Sequence, residues 1–235
     1  MEVEKVKAVS PLFRLGAINY LNLLPFYLFL KRRGMLQKMV IKWGYPAQIN
    51  RWLEEGRIDG AFISSVRSIG KKCLPVGIGS RGAVWSVILC PGGDRNDRES
   101  NTSNLLKIAL DEVGEVVIGD KGLKRYFQPE NECRDLGELW FQKYGLPFLF
   151  ARFCCRRKCA QFEKVLKEFV KRPVKIPQYI LKLEAEKRGL SPQLVKEYLQ
   201  LIHFPIGWRE ERGFKLFIKL LQKRGVKIEK RWEKW

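Results

Sequence analysis

Hydroxyl and amide side chains recur in this chain where apolar runs end. Asn19 and Asn22 follow the first such run in RLGAINYLNLLPFY (residues 14–27), and Ser64 and Ser65 close GAFISS. Ser86 stands inside GAVWSVIL, Thr102, Ser103 and Asn104 open NTSNLLKIAL, and Gly119 and Asp120 end EVVIGD. Such groups donate and accept hydrogen bonds, and Asp120 alone among them offers a strong base. The set suits positioning of a ligand with modest acid/base help. A helix opening at residues 102–104 would add free backbone N–H groups and a positive dipole end, a seat for a carboxylate.

Those tips can meet only if the runs before them are strands of adjoining sheets. Residues 12–19 read as a strand, FYLFLKRRG as a helix ending at Gly34, and MVIKWGY as a second strand. PAQINRWLEEGRID reads as a helix with Pro46 near its first turn. GAFISSVRSI starts as a strand and turns helical, and VWSVILC (84–90) is a further buried strand. The alternation predicts a parallel sheet with crossover helices. The polar, glycine-bearing segment PGGDRNDRESN (91–101) marks a crossing between lobes.

Beyond the crossing a helix is expected over NTSNLLKIALDEVG, with Thr102 or Ser103 as its N-cap. EVVIGD is a strand, KGLKRYF opens a helix, DLGELWFQKYG is a helix and LPFLFARF an apolar strand. Helices follow over 159–171, 176–188, 191–202 and 209–224. This is an α/β chain of two lobes, the larger from residues 1–90 and 147–235, the smaller from 91–146. Ligands of such folds sit in the cleft, at strand C-termini and helix N-termini. The polar tips lie at those ends and are expected to face the cleft.

Composition narrows the classes. With 46% hydrophobic and 30% charged residues the chain is globular rather than disordered. Its most apolar stretch, residues 13–30, is broken by Arg14, Asn19, Asn22 and Pro25, short of the ~20 apolar residues of a membrane span. The N-terminal MEVEKVKAVS alternates charges and lacks a signal-peptide core. A cytoplasmic protein without a membrane partner is expected.

Net charge is +20, and most of the excess follows Arg152 on amphipathic helical patterns. No nucleic-acid-binding motif accompanies it, so no nucleic-acid partner is expected. A basic surface can equally draw an anionic metabolite into a cleft. The six cysteines (73, 90, 133, 154, 155, 159) lack metal-ligand spacing, and CCRRKC has no histidine beside it. No metal site is expected, and the thiols read as reduced. His203, the sole histidine, reads as a helix-end or core residue.

In order, INYLNLLPFY, IDGAFISSVRS, GAVWSVIL, NTSNLLKIAL, VVIGDKGLK and DLGELWFQKYGLPFLFARF resemble the menaquinone-biosynthesis chorismate dehydratases of the futalosine pathway. The likeness covers about residues 14–153, and VKIPQYIL carries it into the C-terminal helices. It implies a periplasmic-binding-protein-like (type II) fold with its ligand cleft between the lobes, used as a cytoplasmic enzyme. It also implies the reaction, loss of water from chorismate to give 3-[(1-carboxyvinyl)oxy]benzoate with no cofactor. The family's catalytic asparagine falls on Asn22 and its serine on Ser86. Two departures stand out: Ala83 replaces the proline of the family's G-P-V-x-S, and Asn19 replaces a serine or aspartate.

On that resemblance chorismate, a dianion, is the expected partner. Thr102, Ser103 and Asn104 would seat one carboxylate, and Ser64 and Ser65 the other carboxylate or a ring hydroxyl. Gly119, Asp120 and Asn19 would complete the substrate contacts. Asp120 could instead cap a helix, Ser64 and Ser65 could do the same, and Asn19 could stabilise a turn. Other readings are a non-catalytic solute-binding protein of the same fold and the sibling 1,4-dihydroxy-6-naphthoate synthase. The latter uses a cleft histidine and a different opening motif.

Overall fold

The run FRLGA forms the first strand, β1 (Phe13–Ala17), and its last three residues are buried. In the computed structural model, which describes residues 13–227, the expectation about MEVEKVKAVS falls outside the described residues. Helix α1 (Leu24–Arg32), strand β2 (Met39–Trp43), helix α2 (Pro46–Glu54) and strand β3 (Gly60–Ser64) follow. Pro25 and Pro46 sit in the first turns of the two helices, where a missing N–H costs nothing. β1 pairs in parallel with β2 and β3, as the alternation predicts.

Strand β4 (Cys73–Ser80) then leads out to β5 (Val87–Cys90), α3 (Asn101–Leu110), β6 (Glu115–Ile118), α4 (Gly119–Tyr126), β7 (Arg134–Asp135) and α5 (Leu136–Tyr144). The chain returns through β8 (Phe148–Cys155), α6 (Cys159–Phe169), α7 (Gln178–Glu186), α8 (Pro192–Leu201), β9 (His203–Pro205) and α9 (Trp208–Lys223). The described residues form two sheets, one of order β2-β1-β3-β8-β4-β9 and one of order β6-β5-β7.

Two expectations need correction. The first sheet is mixed rather than parallel, because the returning β8 lies antiparallel between β3 and β4. The lobe boundary at residue 90 is too late: β5 is the central strand of the second sheet, so the chain leaves the first sheet after Ser80. An apolar core nevertheless runs through both sheets, from Leu15, Phe62 and Phe153 to Leu106, Leu123 and Trp140.

The cysteine reading is corrected as well, since all six pair as Cys73–Cys154, Cys90–Cys133 and Cys155–Cys159. The ladders bring the first two together. Cys73 faces Cys154 across β4 and β8, and the β5–β7 register points Cys90 at the residue before β7.

Candidate active site

A cavity of about 70 Å³ lies between the sheets, with Tyr20, Asn22, Ser64, Ser86, Ser100, Ser103 and Gly119 on its polar wall. Ile18, Phe62, Ile78 and Phe150 close the apolar side. No Lys, Arg, Asp, Glu or His is among the described residues lining it.

Asn22 sits in a short 3-10 turn (Leu21–Leu23) that follows β1. Tyr27 fixes the strand's exit by accepting from Ile18 N at 3.1 Å and donating to Ile18 O at 3.0 Å. The turn leaves the Asn22 Oδ1 buried with no hydrogen-bond partner among the described residues. Buried amide oxygens are satisfied in the great majority of cases, so an open acceptor on a cavity wall stands out.

Ser86 ends the link from β4 and is almost wholly buried. Its Oγ accepts from the Tyr198 hydroxyl of α8 at 3.0 Å, which leaves the Ser86 proton free for a ligand. Burial raises the Tyr198 pKa, so the phenol stays protonated and donating. Trp85, just before the serine, has φ 58°, a left-handed conformation costing about 1–2 kcal/mol for a non-glycine residue. Ser86 N closes this turn onto Val84 O at 2.7 Å.

The other tips divide. Ser64 lines the cavity and is held by buried Asn50, whose Nδ2 donates to Ser64 Oγ at 3.2 Å and whose Oδ1 accepts from Ser64 N at 3.1 Å. Ser103 and Gly119 also line it. Gly119 has φ 68°, and a Cβ there would come within 2.8 Å of the Tyr20 ring, so this wall tolerates only glycine. The N-cap of α3 is Ser100, not Thr102 or Ser103: its Oγ accepts from Ser103 N at 3.1 Å and donates to Ser103 Oγ at 2.9 Å.

Asn19, Ser65, Thr102, Asn104 and Asp120 are not on the cavity wall. Asn19 is exposed to solvent. Ser65 and Thr102 face each other across the lobes at 3.3 Å, and Thr102 Oγ1 also accepts from Val66 N. Asn104 braces the loop before α3 through both polar atoms of Asp97's backbone. Asp120 neither caps a helix nor reaches the cavity. Its Oδ1 accepts from Leu21 N at 3.0 Å, which ties α4 to the turn carrying Asn22, and its Oδ2 from Nε of Arg188, just past α7, at 2.7 Å. Beside it the Tyr20 hydroxyl donates to Glu99, so a second bond crosses the cleft.

His203 lies outside the site on β9, where its Nε2 meets Arg81 at 3.0 Å. Burial and the Arg81 charge lower its pKa. Ser100, Tyr198 and Asn50 escaped the sequence reading. Ser100 stands in a polar run that reads as loop, while the other two lie inside helical patterns whose facing only the tertiary fold reveals.

A family model described as menaquinone biosynthesis matches residues 13–115 and 98–223. A chorismate dehydratase of Campylobacter jejuni is 40% identical over 212 residues, covering 87% of this chain and 95% of that protein. A chorismate dehydratase of Thermus thermophilus is 27% identical, covering 88% and 94%. Among solved structures, a protein of Archaeoglobus fulgidus aligns with a TM-score of 0.66 at 13% identity, covering 94% of this chain and 100% of that one. The alkanesulfonate-binding protein of Xanthomonas axonopodis pv. citri, bound to MOPS, aligns with a TM-score of 0.58 at 16% identity, covering 95% and 96%. The latter carries the periplasmic-binding-protein-like architecture, and at that identity it speaks for the fold alone. This chain belongs to the menaquinone-biosynthesis family that holds the chorismate dehydratases.

Proposed function

We propose that the chain is a chorismate dehydratase, a hydro-lyase that converts chorismate and releases water and 3-[(1-carboxyvinyl)oxy]benzoate without a cofactor. The observation that carries the reading is the orphaned Asn22 Oδ1 on the same cavity wall as Ser86. In the reaction the C–H bond at the ether-bearing ring carbon and the C–O bond at the neighbouring hydroxyl carbon both break. The electron pair of the first becomes the new ring double bond, and aromatisation drives the step.

With no acidic or basic side chain among the described lining residues, a carboxylate of the substrate takes the ring proton. Asn22 orients the reacting face through its carbonyl oxygen. Ser86, polarised by Tyr198, hydrogen-bonds the departing hydroxyl, and the proton taken from the ring by the carboxylate is passed to that oxygen, which leaves as water and restores the carboxylate. The first turn of α3, with Ser100 and Ser103 on the wall, seats the ring carboxylate on N–H and O–H donors. No charged side chain is among the described lining residues, and the chain's net charge of +20 steers the dianion towards the cleft.

The test is purified protein mixed with chorismate, followed by ultraviolet absorbance and by mass spectrometry. Loss of one water with formation of the enolpyruvyl benzoate is expected. Chorismate bound but unchanged would replace the enzyme with a binding protein of the same fold.

A further inference from the structure

The turn before Ser86 is held by a carboxylate that no sequence motif singled out. Asp135 is 3% exposed and lies at the junction of β7 and α5. Its Oδ2 accepts from Val84 N at 2.8 Å and from Trp85 N at 2.5 Å, the two residues that precede the serine. Its Oδ1 accepts from Glu138 N at 2.9 Å as the N-cap of α5. Both oxygens are thus occupied by backbone donors, and among the described residues Asp135 has no cationic partner within ion-pair distance. One side chain therefore sets the position of the link between the lobes and the start of α5.

We infer that Asp135 is a positioning residue for the dehydration: it holds Trp85 in the left-handed region and thereby aims Ser86 Oγ into the cavity. The inference rests on Ser86 acting on the substrate. Without the double acceptor, the Val84 and Trp85 N–H groups lose their buried partner and Trp85 relaxes towards an ordinary conformation, which carries Ser86 away from Tyr198. Glycine or asparagine at position 85 would hold this conformation more readily.

The carboxyl also sets a pH limit. Burial pushes its pKa up to about 6 against the lowering by four backbone N–H groups. The ionisable groups facing it are Tyr126 of α4, Glu138 of its own helix and Tyr198 of α8. Burial raises the pKa of both tyrosines, so they stay neutral through this range. A proton on either Asp135 oxygen would confront an N–H donor, so kcat falls as pH drops through about 6. Stability runs the other way. A carboxyl with a raised folded pKa takes up protons on folding, so its contribution to stability grows on acidification from 6 towards its unfolded value.

The experiment uses Asp135→Ser, which keeps an N-cap oxygen for α5 but cannot span to the turn, together with Asp135→Ser/Trp85→Asn and Ser86→Ala. Expected for Asp135→Ser are a kcat lowered about 10- to 100-fold, a KM within threefold of wild type, and loss of the acid limb near pH 6. Trp85→Asn in that background restores at least threefold in kcat. A kcat within twofold of wild type, a KM rising in step with the fall in kcat, or an unchanged acid limb would overturn the role of Asp135. Ser86→Ala separates the two readings: full activity in that variant would remove the reading of Ser86, whereas an inactive Ser86→Ala beside a fully active Asp135→Ser removes the inference about Asp135 alone.

Discussion

Asn22→Leu turns over chorismate about 10²- to 10³-fold more slowly than wild type, yet melts a few degrees higher. The fall in kcat is that expected when a preorganised polar contact to the reacting centre is removed. The gain in stability comes from the same atom, because Oδ1 is buried without a partner among the described residues and an unsatisfied polar group of this kind costs about 1–3 kcal/mol. Leucine keeps the same branched heavy-atom skeleton without that penalty. A net gain near 1 kcal/mol raises Tm by roughly 2–4 °C in a domain of this size. Steady-state kinetics and thermal melts on one preparation test both halves. A kcat within threefold of wild type would remove Asn22 from the reaction, and a large loss of Tm would mean that the amide has a partner in the folded protein.

Asp120→Ala is expected to raise KM for chorismate more than tenfold and to lower kcat as well. Its carboxylate crosses the cleft to Leu21 N and to Arg188. Leu21 immediately precedes Asn22, so one side chain both fastens the lobes and fixes the turn bearing the orphan amide. Truncation leaves the Leu21 N–H unpartnered, while Arg188 retains Glu184. The stability cost is therefore that of one stranded group and a weakened ion pair, about 2 kcal/mol. Small-angle scattering should show a larger radius of gyration for the variant than for wild type, with chorismate narrowing the gap. Asp120→Asn, which keeps an acceptor for Leu21 N, should fall between. Unchanged KM and scattering in the alanine variant would show that the cleft closes without this contact.

The order of strands and helices was readable because apolar runs and breakers alternate cleanly, and the family resemblance spans most of the described chain. β4 escaped notice because Pro75, Gly77 and Gly79 interrupt its apolar pattern. The fold needs those glycines: a Cβ on Gly77 would come within 2.4 Å of the Ala151 carbonyl oxygen of β8. In the site, a position at a strand or helix end does not tell a side chain facing the cavity from one facing the other lobe. Ser103 and Thr102 are neighbours on α3, and one lines the wall while the other bonds Ser65 across the gap. Asp135 looked like any residue opening DLGELWFQKYG, since its second oxygen finds a partner some fifty residues away.

The Cys73–Cys154 bridge has a topological consequence. Its two ends lie on neighbouring strands of the first sheet and are separated by 81 residues, so the whole of the second sheet lies inside one covalent ring. Cys90–Cys133 closes a smaller ring within it. The second lobe can therefore melt, or be cut once in its peptide backbone, without β4 and β8 coming apart. Two fragments separate only when such a cut is combined with a thiol reductant.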